Sequence, residues 1–487
     1  LIPLALTRNT FVALAVAMCV VCPRVADAKT LYVNGSTGDD SVAYASNNVS
    51  TPWRTIARAA WGSISYDAPN TAEGARAGDT VLIAAGTYWE NGTTSGSRFT
   101  VTLNPVNSGA PGNLVTFRGE GDVQVRLNNG YRGAMIGCQG RDYVVWDHFT
   151  IDDTYGGSVS DTGPVVFSSN SNHCQLINST VRGHDGTYFH GYPTFGGNYR
   201  LVGLEDAHHI IIKNNVISRA RAANGSLGGQ NEGCVLSYDT THSVVEHNWL
   251  ADCGVGVFIK GAHSPEVQEF NTIRFNTITD SYHGIRVLGG DDSRVYQNIV
   301  AGCAPTAGAT GLFVGFSTAL RSRWVNNTVY NCARGIALQG TDIVDAVLRN
   351  NIVVGSTEGA VYSWASASPA AVDAAFDRNF YDGNTVHASW EGSGNYSFAT
   401  WQGTYGHDLN GSHAVSPQFI DAGAGNFRLQ PASPARTVGI DTLDLDSDGS
   451  TTDTIPVGAY ISGNETIGPA AGIDTTGPAA PSGLQVM

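Results

Sequence analysis

From about residue 140 the chain repeats a short pattern built around asparagine. The tetrads NSTV, NNVI, HNWL, FNTI, QNIV, NNTV and NNIV align Asn178, Asn215, Asn248, Asn276, Asn298, Asn327 and Asn351, at intervals of 22 to 37 residues. A second series, led by glycine, reads GCVLS, GVFIK, GIRVL, GLFVG, GIALQ and GAVYS. It runs from Gly233 to Gly359 at intervals of 23 to 28 residues. Each period holds short β-branched strands, an asparagine turn and a loop of variable length. A period in the twenties, made of strands without a helical pattern, fits an all-β stack of coils: a parallel β-solenoid. The LxxLxL signature of leucine-rich repeats is absent.

Stacked asparagines in one turn are expected to hydrogen-bond along the axis as an amide ladder. Five residues after them runs a column of small residues: Ala220, Cys253, Ser281, Cys303, Cys332 and Ser356. That column makes Cys253, Cys303 and Cys332 packing residues of the interior, with a Cys303–Cys332 bridge as the alternative. No CxxC pair suggests zinc.

In the glycine-led strands, apolar residues recur at the first and third places: Cys234 and Leu236, Val257 and Ile259, Ile285 and Val287, Leu312 and Val314, Ile336 and Leu338. By strand alternation these point inward, and the second and fourth places point out. Lys260 therefore stands on the outer face, between Ser237 one rung back and Leu288 one rung on. Arg286 stands beside it, between Phe258 and Phe313. Only three of the 27 basic side chains are lysines, Lys29, Lys213 and Lys260. Nearby, EDAHHIIIKNN aligns with YDTTHSVVEHN, stacking Asp206 on Asp239. With Glu205 these form an oxygen-rich set suited to Ca²⁺. His263 and His283 flank the same cleft, and the loop from Asp185 to Arg200, with Tyr188 and Arg200, is expected to wall it and bind substrate. The plain structural readings stay open: a solvated lysine, an arginine stacked on phenylalanine, aspartates that form turns and incidental histidines.

A net charge of −15 with 59 glycines argues against a nucleic-acid partner. An acidic polymer could bind only through a local basic cleft or bound cations. Residues 1–28 read as a signal peptide: an apolar core too short to span a bilayer precedes a small-x-small cleavage site at Ala26–Ala28. Cys19 and Cys22 would leave with it. No later segment is long and apolar enough to span a membrane. The expected product is an exported monomer, secreted or periplasmic.

The opening LYVNGSTGDDS…TPWRTIARAA…AGDTVLIAAGTYWENG, the repeats and the exit SPQFIDAGAGNFRLQPASPARTVGID…IPVGAY resemble the pectate-lyase-like superfamily, most closely its family-nine polysaccharide lyases. The resemblance implies a right-handed parallel β-helix over residues 29–465. Residues 466–487 are similar to a linker and the start of a fibronectin type III module. The family's chemistry implies a lysine base beside aspartate-bound calcium, and Lys260 with Asp206, Asp239 and Glu205 match those roles. Uronate β-elimination removes the C5 proton beside a carboxylate, which Ca²⁺ or Arg286 would neutralise. Lysine can lose its proton when desolvated, whereas arginine cannot. A C5-epimerase would use the same abstraction. The alternatives are a non-catalytic carbohydrate-binding or adhesive solenoid, and a glycoside hydrolase working through paired carboxylates such as Asp280, Asp291 and Asp292.

Overall fold

A computed structural model describes residues 28–470, apart from segments 93–99, 129–132, 153–162, 184–198, 222–226, 228–230, 262–267, 304–305, 316–318, 341–342, 365–368 and 370–371. Residues 1–27 of the expected signal peptide and 471–487 of the expected fibronectin-like end therefore lie outside the described residues, as do Tyr188 and His263. The chain winds as a parallel β-helix with three ladders. The glycine-led ladder includes Arg200–His208, Gly233–Thr241, Val255–Lys260, His283–Leu288, Thr310–Gly315, Arg334–Gln339 and Gly359–Ser363, each paired in parallel with the next. A second ladder stacks Ile211–Lys213, Val244–Glu246, Thr272–Arg274 and Arg294–Tyr296. A third stacks Val216–Ser218, Trp249–Ala251, Thr277–Thr279 and Ile299–Ala301.

The asparagines form the corner between the second and third ladders. Asn248 Nδ2 donates to Asn276 Oδ1, Asn276 to Asn298, Asn298 to Asn327 and Asn327 to Asn351, each at 3.0 Å. All are buried, so the ladder satisfies amides that would otherwise be costly. The residue before each takes a left-handed conformation that turns the chain, as at Asn214, Phe275 and Asn326. One member departs from expectation. Thr180 pairs with Val216, so Asn178 stacks on Asn214 and Ser179 fills the ladder position.

The glycines have a steric cause. A Cβ on Gly256 would lie 2.6 Å from Ile278 Cγ2, and one on Gly284 would lie 2.5 Å from Val300 Cγ1. Third-ladder side chains thus fill the space a Cβ would need. The register shifts by one at Gly233, which pairs with Val255. In consequence Leu236 faces out, against Phe258, while Val235 joins the interior.

The small-residue column is buried as expected, but its cysteines are bonded: Cys234–Cys253 and Cys303–Cys332, with Cys138–Cys174 as a third disulfide. The packing-only reading is therefore corrected. Cys234 belongs to the glycine-led ladder, so it shares no repeat column with Cys253.

Both ends of the coil are covered, protecting strand edges that would otherwise invite pairing. Helix Ile56–Trp61 starts at Thr55, whose Oγ1 accepts from Arg58 N at 3.1 Å, and ends at Gly62 with φ 68°. It packs against strands Thr80–Glu90 and Val101–Leu103, and its apolar side joins the main buried core. At the far end Trp401 is buried, and Asp408 accepts from Asn379 Nδ2 at 2.8 Å, closing the amide ladder. The chain after Pro456 runs back along the asparagine corner. Gly458 N donates to Asn350 O, Gly468 N to Phe275 O and Ala470 N to Asn214 Oδ1. Gly468 and Ala470 thus lie against the coil. Among the described residues no helix is long and apolar enough to cross a membrane.

Candidate functional site

The outward face of the glycine-led ladder alternates rings and cations. Phe258, Arg286 and Phe313 are consecutive in register, and the Arg286 guanidinium carbon lies 4.9 and 4.5 Å from the two ring centroids. The next position is Ala337, and Trp364 stacks on Phe313 at 4.9 Å beyond it. Arg334 then lies 3.7 Å from the Tyr362 centroid and 4.4 Å from that of Trp364. Lys260, partly buried, ends its strand with Nζ 5.3 Å from the Tyr238 centroid and 5.7 Å from that of Phe258. Ser237 pairs with Ile259, so the residue behind Lys260 is Tyr238, not Ser237 as expected. Leu288 follows Lys260 as expected.

Burial of the Arg286 side chain lowers its pKa to about 10, which leaves it charged at neutral pH. Its sandwich fixes the plane of a side chain that is otherwise mobile. Arg286 and Lys260 are diagonal neighbours on adjacent rungs, with Cα atoms roughly 8 Å apart from the spacing of strands.

Several expected site residues are placed otherwise. Arg200 is buried and bonded to Glu205, its side chain lying across Gly203, where a Cβ would meet Arg200 Nε at 2.6 Å. The two charges thus face each other at one end of the strip. His283 is buried beneath the strip, against Tyr282 and Phe313. Burial, with Arg286 and Arg334 nearby, holds its imidazole well below the usual value, so it stays neutral. Asp206 and Asp239 occupy corresponding left-handed positions at φ 51° and 52°. The Asp206 carboxylate is exposed, 3.6 Å from His208 Nε2, whereas Asp239 is buried.

Among the described residues, Glu205, Asp206 and Asp239 do not converge as a ligand set. The acids that do converge are Asp441 with Asp444 and Asp446, and Asp446 with Asp448 and Asp453. They belong to the run DTLDLDSDGSTTD, whose DxDxDG spacing was legible in the sequence. Asp441 already accepts from Leu443 N and Leu445 N. The cationic strip had a weaker signal, because Trp364 and Arg334 join it by reaching across rungs.

Residues 268–381 match the model described as "Right handed beta helix region", and residues 124–304 match that of the periplasmic copper-binding protein NosD. The fold is thus the right-handed parallel β-helix. No curated protein gives a significant match. Similar solved structures include pectate lyase Pel9A, at 12% identity over 89% of this chain and 96% of that one, TM-score 0.49. A PL6 family polysaccharide lyase from Pseudopedobacter saltans matches at 14% identity over 70% and 88%, TM-score 0.40. A mannuronic acid specific family 6 lyase from human gut microbiota matches at 11% over 70% and 83%, TM-score 0.42.

Proposed function

We propose that this chain cleaves a uronate-containing polysaccharide by β-elimination on the outward face of the glycine-led ladder. The observation that carries the reading is the strip Tyr238, Lys260, Phe258, Arg286, Phe313. It sets positive charge on one face of a chain of net charge −15. Arg286 meets the uronate carboxylate, and that neutralisation acidifies C5. Lys260 takes the C5 proton, the electron pair becomes the C4–C5 double bond, and the C4–O bond breaks with the leaving oxygen taking a proton from solvent water. Glu205, Asp206 and Asp239 do not fit a calcium site, so neutralisation rests on Arg286. Three disulfides suit the exported location that the same reading requires.

The test is incubation with pectate, alginate and chondroitin, with calcium or chelator, following ultraviolet absorbance of the unsaturated uronide. Absorbance on one of these supports the reading. New reducing ends without absorbance would make the chain a hydrolase. Neither signal on any uronate would leave a binding solenoid.

A further inference from the structure

A second cleft opens at the other end of the molecule, between the capping helix and the end of strand Thr80–Glu90. It encloses about 680 Å³, and its walls include Asp39, Arg54, Ile64, Trp89 and Asn91. Two of the chain's exposed large apolar side chains meet at this one rim: Trp89 is 49% exposed and Ile64 72%. Trp89 is held from one side, since Arg126 on the next rung lies 5.7 Å from its centroid. An indole kept exposed and steady beside a cleft loses little freedom on binding, which favours its use as a platform.

The polar groups select among ligands. Glu90, on the floor, is buried and accepts from Ile56 N at 2.9 Å. Arg58 is turned away, pairing with Glu73 at 2.8 Å. At the rim, Asp39 and Arg54 are both exposed; Arg54 N donates to Asp40 Oδ1 at 2.8 Å, and its side chain binds Gly38 O through Nε at 2.9 Å. Asp39 Oδ1 accepts from Ser41 N at 2.9 Å, so the Arg54 Nη groups and the second Asp39 oxygen offer donors and an acceptor at one rim, the complement of vicinal hydroxyls. Asp39 and Asp40 outnumber Arg54, so a polyanion is disfavoured. An apolar face with hydroxyl-bearing edges, uncharged, describes a neutral sugar.

We propose that this cleft binds a neutral saccharide segment, with one sugar face on Trp89 and hydroxyls on Asp39 and Arg54. The cleft lies about five rungs from Lys260, roughly 24 Å along the axis. It therefore holds a polymer apart from the cationic strip, and the inference does not depend on the lyase reading. Its readout is binding rather than cleavage.

The test is affinity electrophoresis of the full chain in gels containing neutral galactan, arabinan or xylan, with polygalacturonate as the charged comparison. At least one neutral gel should retard the protein. Trp89→Ala should weaken that binding at least tenfold and Ile64→Ser less, while Lys260→Ala leaves it unchanged. Circular dichroism of both cleft variants should match the parent, as their side chains are exposed. Retardation by polygalacturonate alone, by no polysaccharide, or equally in Trp89→Ala would overturn the proposal.

Discussion

Lys260 holds its ammonium 5.3 Å from the centre of the Tyr238 ring, one rung back on the same outward face. The ring covers one side of the ammonium. A contact of this kind contributes about 1 kcal/mol, equivalent to roughly five- to tenfold in rate. Tyr238→Phe keeps the ring and should retain at least half of the parent kcat on polyuronate. Tyr238→Leu should lower kcat about tenfold with a smaller effect on KM, measured by initial-rate kinetics.

Arg286 lies between Phe258 and Phe313 and is 6% exposed. Burial of the guanidinium carries a desolvation cost that an apolar side chain of similar length does not. Arg286→Met should therefore melt at or above the parent temperature while kcat/KM on polyuronate falls at least a hundredfold. Calorimetry beside kinetics checks the two together. A structural arginine alone would not separate them.

The amide ladder predicts a local weakness at any rung. Asn276 Oδ1 accepts from Asn248 N and Nδ2, and its own Nδ2 serves Val245 O, Arg274 O and Asn298 Oδ1. Asn276→Ala would leave buried groups without partners, at a cost of about 3 kcal/mol. Denaturant unfolding should show it against Asn464→Ala, an exposed control.

These two residue series also show where the sequence was legible. Stacking repeats the same environment every turn, so Asn and Gly recur where the corner amide and the missing Cβ are required. The one-residue slips came from local ambiguity. NSTV has a single asparagine, and it took the left-handed position, while Gly233 opens its strand and Gly256 is the second residue of Val255–Lys260. The outward direction of Lys260 and Arg286 followed from alternation alone. The Arg200–Glu205 pair did not, because the side chain crosses Gly203 to a neighbour of opposite parity. Disulfides joining different columns were hidden for a similar reason: repeats reveal like positions, and Cys234 and Cys253 are unlike.

Glu90 gives a pH dependence. Burial raises its carboxyl from 4.5 to about 7. The folded state then binds more protons than the unfolded one across that interval, so this contribution is full below pH 4.5 and is lost as pH rises through 7. The span is up to about 3 kcal/mol. Glu90→Gln should flatten the fall in melting temperature between pH 5 and pH 8, compared by scanning calorimetry. Parallel profiles for parent and variant would contradict it.

The central claim is that Lys260 takes the proton whose loss starts the elimination. Its most direct test is absorbance of the unsaturated product on the best polyuronate, comparing the parent chain with Lys260→Ala and Lys260→Arg. The account predicts that both variants lose at least a thousandfold in kcat while melting close to the parent temperature, since arginine keeps the charge but cannot give up its proton. Arginine at position 260 supporting a rate within tenfold of the parent would contradict it.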